Sequence, residues 1–394
     1  MPILFLTVVI DLIGFGIVIP ILPFIGLRIG LSSFDIGILI AIYSICSGIC
    51  GPFWGKLSDR YGRKPIMLFC LFGGAVGYGL LATADTFWSI FFARALGGVM
   101  AGNFGIAAAI VADITSAENR AKGMGAIGAA FGLGMTIGPF IGGTLAGDNY
   151  NLALPAIVAA GMSLTAMSAG FVFLKESLNA EQRSLKAQQP ADNSSLYGMM
   201  KQTGNRWLCL QYFLHNHSVS LMGYIFPLWV AAMLSWGPKE TGYIFGAQGV
   251  VAVLVQGGLM GHLVKRMGEL KLLLLGIIGL ITGFVIAFTF QNETGIVTAF
   301  FVAITGATFC MPVLNSLLSQ RTPEAIRGKM MGTATSISAL GRMSAPIAGG
   351  LMLTWFDFGA AWLLGIVMGF IYLSWVIKEL FFTKPPAGQL TENG

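Results

Sequence analysis

Twelve stretches of the chain run for close to twenty residues or more with almost no charge: 3–25, 35–54, 66–84, 87–112, 123–146, 152–174, 207–233, 240–261, 270–290, 295–319, 329–354 and 359–382. A hydrocarbon core about 30 Å thick is crossed by about 20 helical residues at about 1.5 Å each. Lipid offers no partner for a free backbone N–H or C=O, so each stretch must be a helix. Of the 394 residues, 10% are charged and 55% hydrophobic, whereas a soluble domain carries about 25% charge. A water-soluble fold is excluded, and disorder, a secreted disulfide scaffold and a nucleic-acid binder go with it. The expectation is an all-α protein in a lipid bilayer with twelve transmembrane helices.

The net charge of +6 is read here as a topology signal, because basic residues decide which loops stay in the cytoplasm. If the first span runs from inside to outside, nineteen Lys and Arg are cytoplasmic and two, Arg28 and Lys239, are not. Both termini are therefore expected in the cytoplasm, with the chain in a bacterial inner membrane. The first run has no basic leader and no small-residue cleavage site, so it reads as a retained helix.

The one long polar connection lies at 175–206 and contains Gln188-Gln189-Pro190 and Asp192-Asn193-Ser194-Ser195. It reads as a flexible linker between an N-terminal six-helix bundle (1–174) and a C-terminal one (207–382), with a tail at 383–394. The halves repeat each other. Gly55-Lys56-Leu57 aligns with Gly261-His262-Leu263 at an offset of 206, and Arg120 aligns with Arg327 at 207. Gly138-Pro139-Phe140-Ile141-Gly142-Gly143 aligns with Ala345-Pro346-Ile347-Ala348-Gly349-Gly350, again at 207. Corresponding segments run the same way, so the repeat is parallel about an axis along the membrane normal, as in transporters that rock two halves around a central site.

Between the second and third spans stands Gly55-Lys56-Leu57-Ser58-Asp59-Arg60-Tyr61-Gly62-Arg63-Lys64-Pro65. Gly62 permits a tight turn, Pro65 suits a first helical turn, and Arg60, Arg63 and Lys64 crowd Asp59, with Asp113 as a second acid. Such a cluster can latch one packing of the halves and open in the other; the alternative is that the cations only anchor topology. The segment resembles the G-x-L-[AS]-D-R-x-G-R-[RK] signature of the major facilitator superfamily. Arg94-x-x-x-Gly98 resembles that superfamily's fourth-helix signature, and Gly134-x-x-x-Gly138-Pro139-x-x-Gly142-Gly143 the fifth-helix signature of its antiporters. Asp11-x-x-Gly14-x-Gly16-x-x-x-Pro20-x-x-Pro23 is similar to the first helix of its drug/proton antiporters. With Ile110-Val111-Ala112-Asp113, the pattern is most similar to tetracycline/proton antiporters. The resemblance implies two pseudo-symmetric six-helix bundles and transport by alternating access. It further implies a proton gradient as the drive with no cofactor, protons and a small molecule as partners, and function as a monomer. It also implies that Asp59 faces the start of the eleventh helix and that Asp113 pairs with the loop arginines. Small-residue stripes let helices approach closely, and the fifth-span glycines are expected to pack against the opposite half.

Charges within a span are costly unless partnered. Asp11 is the one acid inside a span and is the candidate proton carrier. Two cations can partner it: Arg94 in the same half, favoured by the resemblance, or Arg342 in the other, which would report rocking directly. A static pair is the alternative. Asn103, Gln211, His215, Gln248 and Asn315 are candidate cavity residues, with Tyr43, Phe131, Tyr224 and Phe309 as aromatic surface. Gln211 and His215, four apart, share a helix face; His217 does not share it and is set aside. Cys46 and Cys50 have no further pair of ligands, so no metal site is expected. No His-Glu-x-x-His or paired intramembrane acids suggest an enzyme, and no carbonyl filter sequence suggests a channel. An aromatic cavity with one acid suits an amphipathic organic cargo, cationic ones included. The expected function is proton-coupled export of a drug or similar compound. The competing reading is a transporter of a specific metabolite such as a siderophore, sugar or organic acid, with Arg342 holding an anionic group. Tetracycline itself is disfavoured, because the eighth and ninth spans carry titratable residues only at their margins.

Overall fold

The computed structural model describes residues 2–147, 150–179, 183 and 205–382, leaving out the side chains of 117–122, 324, 325 and 382. Most of the expected linker and the whole expected tail lie outside the described residues. The first span is two helices, α1 (Pro2–Val18) and α2 (Leu22–Arg28). Pro20 has no N–H to donate and Pro23 occupies the first turn of α2, so the ladder breaks between them. α3 (Ser33–Tyr61) begins on a capping box, in which Ser32 Oγ accepts from the Asp35 N–H and the Asp35 carboxylate accepts from the Ser32 N–H. It ends at Gly62, whose φ of +107° turns the chain directly into α4 (Arg63–Ala82).

The fourth span divides into α5 (Phe87–Val99) and α6 (Asn103–Ile114). Here the indole N–H of Trp54 donates to the Val99 carbonyl, and the ring packs on Gly102, where a Cβ would collide with it. A side chain from α3 thus stabilises a carbonyl that the continuous helix would have used. α7 (Ala117–Ala146) and α8 (Ala153–Phe173) complete the first half. The second half comprises α9 (Arg206–Leu234), α10 (Pro238–Leu254), a π-helical turn at Val255–Leu259 leading into α11 (Met260–Met267), α12 (Glu269–Thr289), α13 (Glu293–Arg321), α14 (Glu324–Trp355) and α15 (Phe358–Phe382). No strand occurs among the described residues.

Eleven of the expected spans are long and apolar enough to cross a bilayer. The twelfth, α14, is 32 residues long but carries Lys329, Thr333, Thr335, Ser336, Ser338 and Arg342. Its composition follows from its position, since it packs between α3 and α9 at the junction of the halves. α3, α13 and α14 also extend beyond their expected spans, α3 reaching Tyr61 and α13 reaching Arg321.

Each half has its own interior. In the second, Trp229, Trp362, Tyr212, Tyr372, Phe226 and Phe300 form one core, which also takes in Phe24 and Ile36 of the first half, with the Phe226 and Phe300 rings 4.3 Å apart. The first half has two cores, one around Leu4, Trp54, Met67 and Ile127 and one around Ile17, Ile21, Leu39 and Ile90. Leu12 belongs to the former and Ile13 to the latter, so Asp11 sits where the two apolar regions divide.

The halves meet along two seams, α3 against α14 and α7 against α10. At one end of the molecule both are closed at backbone distance. Gly37 lies against the Pro346 carbonyl and Gly350 against Ser33 and Phe34; Gly242 lies against the Pro139 carbonyl and Gly143 against Pro238. These are the same contacts twice, because Pro139 and Pro346 are repeat mates. Across the first seam the Phe34 N–H donates to Thr354 Oγ1 at 3.2 Å, and the Tyr224 hydroxyl donates to the Ser33 carbonyl. Toward the other end, which carries the Gly55–Pro65 motif, the seams part. Gly51, Gly55, Gly328 and Gly332 on one, and Gly125, Gly128, Gly132, Gly257, Gly258 and Gly261 on the other, have open space where a Cβ would go. The molecule is therefore sealed at one end and cleft at the basic end.

The fifth-span glycines correct one expectation. Gly134, Gly138 and Gly142 do not face the opposite half; they take in Leu12, Gly16 and Ile17 of α1 in their own bundle. Of the motif glycines Gly143 alone reaches across, together with the Pro139 carbonyl and the Thr136 and Phe140 side chains. The i, i+4 stripe and its neighbouring face look in different directions, and only the first was legible as a stripe. Gly142→Ala forces a Cβ onto the Ile17 carbonyl and is expected to cost about 1–3 kcal/mol, read as a lower melting temperature in detergent. Gly128→Ala, with open space, should be neutral or slightly stabilising.

Candidate functional site

Asp11 projects from α1 toward α6 and α8. Its Oδ2 accepts from Asn103 Nδ2 at 3.1 Å, and its Oδ1 lies 3.4 Å from Ser163 Oγ, which also donates to the Leu71 carbonyl at 2.9 Å. The break in the fourth span makes this possible, because Asn103 is the first residue of α6 after the interruption. Neither Arg94 nor Arg342 forms an ion pair with Asp11; among the described residues its hydrogen-bond partners are neutral. Ser163 was missed in the sequence, where a serine in an apolar span carries no signal of its own.

Arg94 and Arg342 are placed elsewhere. The Arg94 side chain lies with its guanidinium carbon 4.6 Å above the Tyr43 ring. Arg94 is 6% exposed, and its Nε has no hydrogen-bond partner. Tyr43 in turn rests against Phe15, ring centroids 5.0 Å apart. Within the second half Arg342 Nη1, on α14, donates to Asn216 Oδ1 of α9 at 3.2 Å. Between the same two helices His217 Nδ1 lies 2.8 Å from Ser344 Oγ.

The remaining cavity candidates sit inside the second bundle. Gln211 Nε2 donates to its own helix at the Trp207 carbonyl, Gln248 Nε2 donates to Thr305 Oγ1, and Asn315 Oδ1 accepts from the Tyr212 hydroxyl. His215 packs edge-on to Tyr372. The shared face of Gln211 and His215 is thus a face turned into the bundle, and His217, set aside for its angle, is the histidine that faces α14, at Ser344. Angle on one helix says which residues go together; it does not say which way they point.

At the basic end the signature motif forms one cluster around Arg63. Its Nε donates to Asp113 Oδ2 at 3.0 Å, its Nη2 to Asp59 Oδ1 at 2.7 Å and its Nη1 to Ser58 Oγ at 2.6 Å. Glu176, absent from the expected set, accepts from the N–H groups of Arg63 and Lys64 at 2.9 and 3.1 Å, neutralising the exposed first turn of α4. Gly62 is needed there twice, for its φ and because a Cβ would meet the Glu176 carboxylate. Lys64 Nζ donates to the Phe171 carbonyl at 2.7 Å, and Arg60 lies over Tyr61. Ser177 Oγ donates to Asp113 Oδ2 at 3.2 Å. These bonds tie α3, α4, α6 and the end of α8 together within the first bundle. Gly55 has open space beside it, toward the cleft.

A two-bundle helical protein with a repeated seam and a buried acid is the architecture of a secondary transporter. Comparison with known proteins agrees: the Major Facilitator Superfamily model matches residues 4–214 and 208–393, and the chain belongs to that superfamily. It is 28% identical over 381 residues to "Tetracycline resistance protein, class C" of Escherichia coli, covering 93% of both chains. To "Multidrug resistance protein 2" of Bacillus subtilis (strain 168) it is 29% identical over 357 residues, covering 89% of this chain and 88% of that one. Among solved structures, that of the human organic anion transporter MFSD10 (TETRAN) superposes with a TM-score of 0.74 at 22% identity, covering 95% and 98% of the two chains. The nucleoside transporter NupG superposes with a TM-score of 0.76 at 12% identity, covering 97% and 99%. The chain is a multi-pass membrane transporter of this fold.

The three charged side chains of the basic cluster differ in exposure: 6% for Arg63, 14% for Asp113 and 40% for Asp59. Removing one partner of a buried pair strands the other, at about 3–5 kcal/mol. Arg63→Met is therefore expected to lower the melting temperature most, Asp113→Asn less and Asp59→Asn least. A thermal melt of the three purified variants checks the order.

Proposed function

We propose that this transporter is a proton-coupled antiporter that exports a small amphipathic organic compound by alternating access, with Asp11 as the proton carrier. The observation that carries the reading is the neutral, two-way set of partners around Asp11. A serine hydroxyl has one hydrogen. At 2.9 Å the Leu71 carbonyl is the better acceptor for it, which leaves Ser163 lone pairs facing Asp11 Oδ1. A protonated carboxyl can donate there, and an ionised one can accept from Asn103, whose own Oδ1 is otherwise unpartnered. An arginine offers only donors and would hold the acid ionised. Asn and Ser accommodate both protonation states without a large change of partners.

Coupling then runs through packing. Leu12 and Gly16, both just beyond the carboxyl along α1, lie against Gly134 and Gly138 of α7, and α7 forms one of the two seams. Gain or loss of the proton acts on α1, α1 acts on α7, and α7 sets the fit to α10. In this reading the basic end is cytoplasmic, both termini lie on that side, and the chain is an inner-membrane protein open inward in the present state. It works as a monomer and draws on the proton gradient without a cofactor. The resistance names of relatives at 28–29% identity support a drug or toxic metabolite as cargo.

Expression in an efflux-deficient bacterium should lower susceptibility to at least one class of organic toxicant. In inverted vesicles that toxicant should discharge a preformed pH gradient. Asp11→Asn should retain downhill exchange but lose at least about tenfold in gradient-driven accumulation, equal to about 1.4 kcal/mol of coupling. Undiminished uphill transport by properly inserted Asp11→Asn would overturn the assignment.

A further inference from the structure

Two arginines lie in the middle of this molecule without a carboxylate. Apart from Asp11, the acids of the chain fall at helix ends or in loops, and Asp11 is held by Asn103 and Ser163. Arg94 makes no hydrogen bond to any described residue; its partner is the face of Tyr43. Arg342 uses one of its donors on the neutral Asn216. An arginine does not shed its charge, and burying it unpaired costs several kcal/mol. A ring face returns about 0.5–2 kcal/mol of that. The bare chain therefore leaves an uncompensated positive field between its bundles.

The field lies at the closed end of the cleft. Arg342 is four residues, about 6 Å, below Pro346, whose carbonyl meets Gly37 in the seal. Tyr43 is six residues, about 9 Å, below Gly37 on the facing helix. Farther along the same two helices, Gly51, Gly55, Gly328 and Gly332 have nothing beside them. A solute entering from the basic end would thus meet Tyr43 with Arg94 on one wall and Arg342, with Asn216, on the other. Arg342 presents a planar fork suited to a carboxylate, and the Tyr43–Phe15 pair offers a flat apolar surface beside it.

We propose that the sealed end of the cleft is a recognition site for organic anions, specifically a planar aromatic carboxylate held between Arg94 on Tyr43 and Arg342. The inference rests on the transporter reading above and gives its cargo a sign. It reverses the cationic preference expected from a lone acid in an aromatic cavity, because that acid is already hydrogen-bonded to Asn103 and Ser163, whereas neither cation has a carboxylate.

The test is equilibrium binding to the purified full chain in lipid nanodiscs, using 2-naphthoate, the isosteric neutral 2-naphthamide and the cationic 2-naphthylmethylammonium as probes. Naphthoate should bind saturably and at least about tenfold more tightly than the amide, with the ammonium probe weakest. Arg342→Gln and Arg94→Gln should each weaken naphthoate about tenfold or more and change the amide less than about twofold. Arg342→Lys, which keeps the charge, should keep the preference for the anion. Melting temperatures of all variants, together with the amide affinity, separate a lost charge from a damaged fold. Equal affinity for the three probes, tighter binding of the ammonium, or an anion preference unaltered in both glutamine variants would overturn the proposal. Binding with the anion preference but no proton-driven flux of any compound would leave the site standing and sink the antiport reading instead.

Discussion

Helices in lipid gain nothing by hiding apolar surface from one another, since the solvent is as apolar as they are; what holds them is close backbone approach. Everything about the arrangement of the two bundles follows from where that approach is possible. At the sealed end Gly37, Gly350, Gly143 and Gly242 let main chain meet main chain. At the cleft end the glycines are just as numerous and stand empty. Gly51 and Gly55 have repeat mates in Gly257 and Gly261, and Gly125 has one in Gly332. The chain thus carries close-packing surface at both ends of the same four gating helices and uses it at one. A structure built for a single packing would have filled those positions with side chains, since glycine in a helix interior costs about 0.5–1 kcal/mol relative to alanine. Under the proposed alternation the empty faces are the seam of the other state.

The same economy of contact governs the charges. Arg63 is enclosed by two acids and a serine, so its charge is fully paired and the cluster braces α3, α4 and α6. Asp11 is treated in the opposite way, with partners that hydrogen-bond it and carry no charge. Arg94 and Arg342 are treated in a third way, given an aromatic face and one amide oxygen and nothing more. Fully paired, neutrally paired and unpaired charges occupy the basic end, the interior of the first bundle and the junction of the bundles, in that order. Bracing, proton carriage and recognition of a charged solute are the tasks those three conditions suit.

Much of this was legible in the chain. Span number, the two-fold repeat and the motif around Arg63 follow from runs, offsets and spacing, because lipid makes local composition decisive. What stayed hidden was direction. Gly134, Gly138 and Gly142 declare a stripe, but only the packed molecule shows that the stripe faces α1. Gln211 and His215 declare a shared face that turns into the bundle, while His217 turns to Ser344. The break at Met100–Gly102 depends on an indole from another helix, and the capping of α4 depends on Glu176, 113 residues from Arg63. Such contacts are made by tertiary neighbours and leave no local pattern.

The repeat also separates what the scaffold requires from what it does not. Gly62 and Gly268 are mates at an offset of 206, and both hold positive φ, +107° and +81°, as the turn into the next helix demands. The residue that follows is Arg63 in one half and Glu269 in the other. Arg63 reaches Asp113 of the fourth span; Glu269 Oε1 instead accepts from Ser316 Oγ and Gln320 Nε2 of α13, the tenth span. Asp59 likewise has Lys265 as its mate. Backbone geometry has been kept in both copies while charge has been inverted or neutralised in the second. The turn is therefore a property of the fold, whereas the charges of the Arg63 cluster have no matching copy in the second half at Lys265 and Glu269; the cluster stands in the bundle that holds Asp11. Under the proposed proton coupling, an asymmetric set of charges on a symmetric backbone lets two halves that move alike respond differently to a proton.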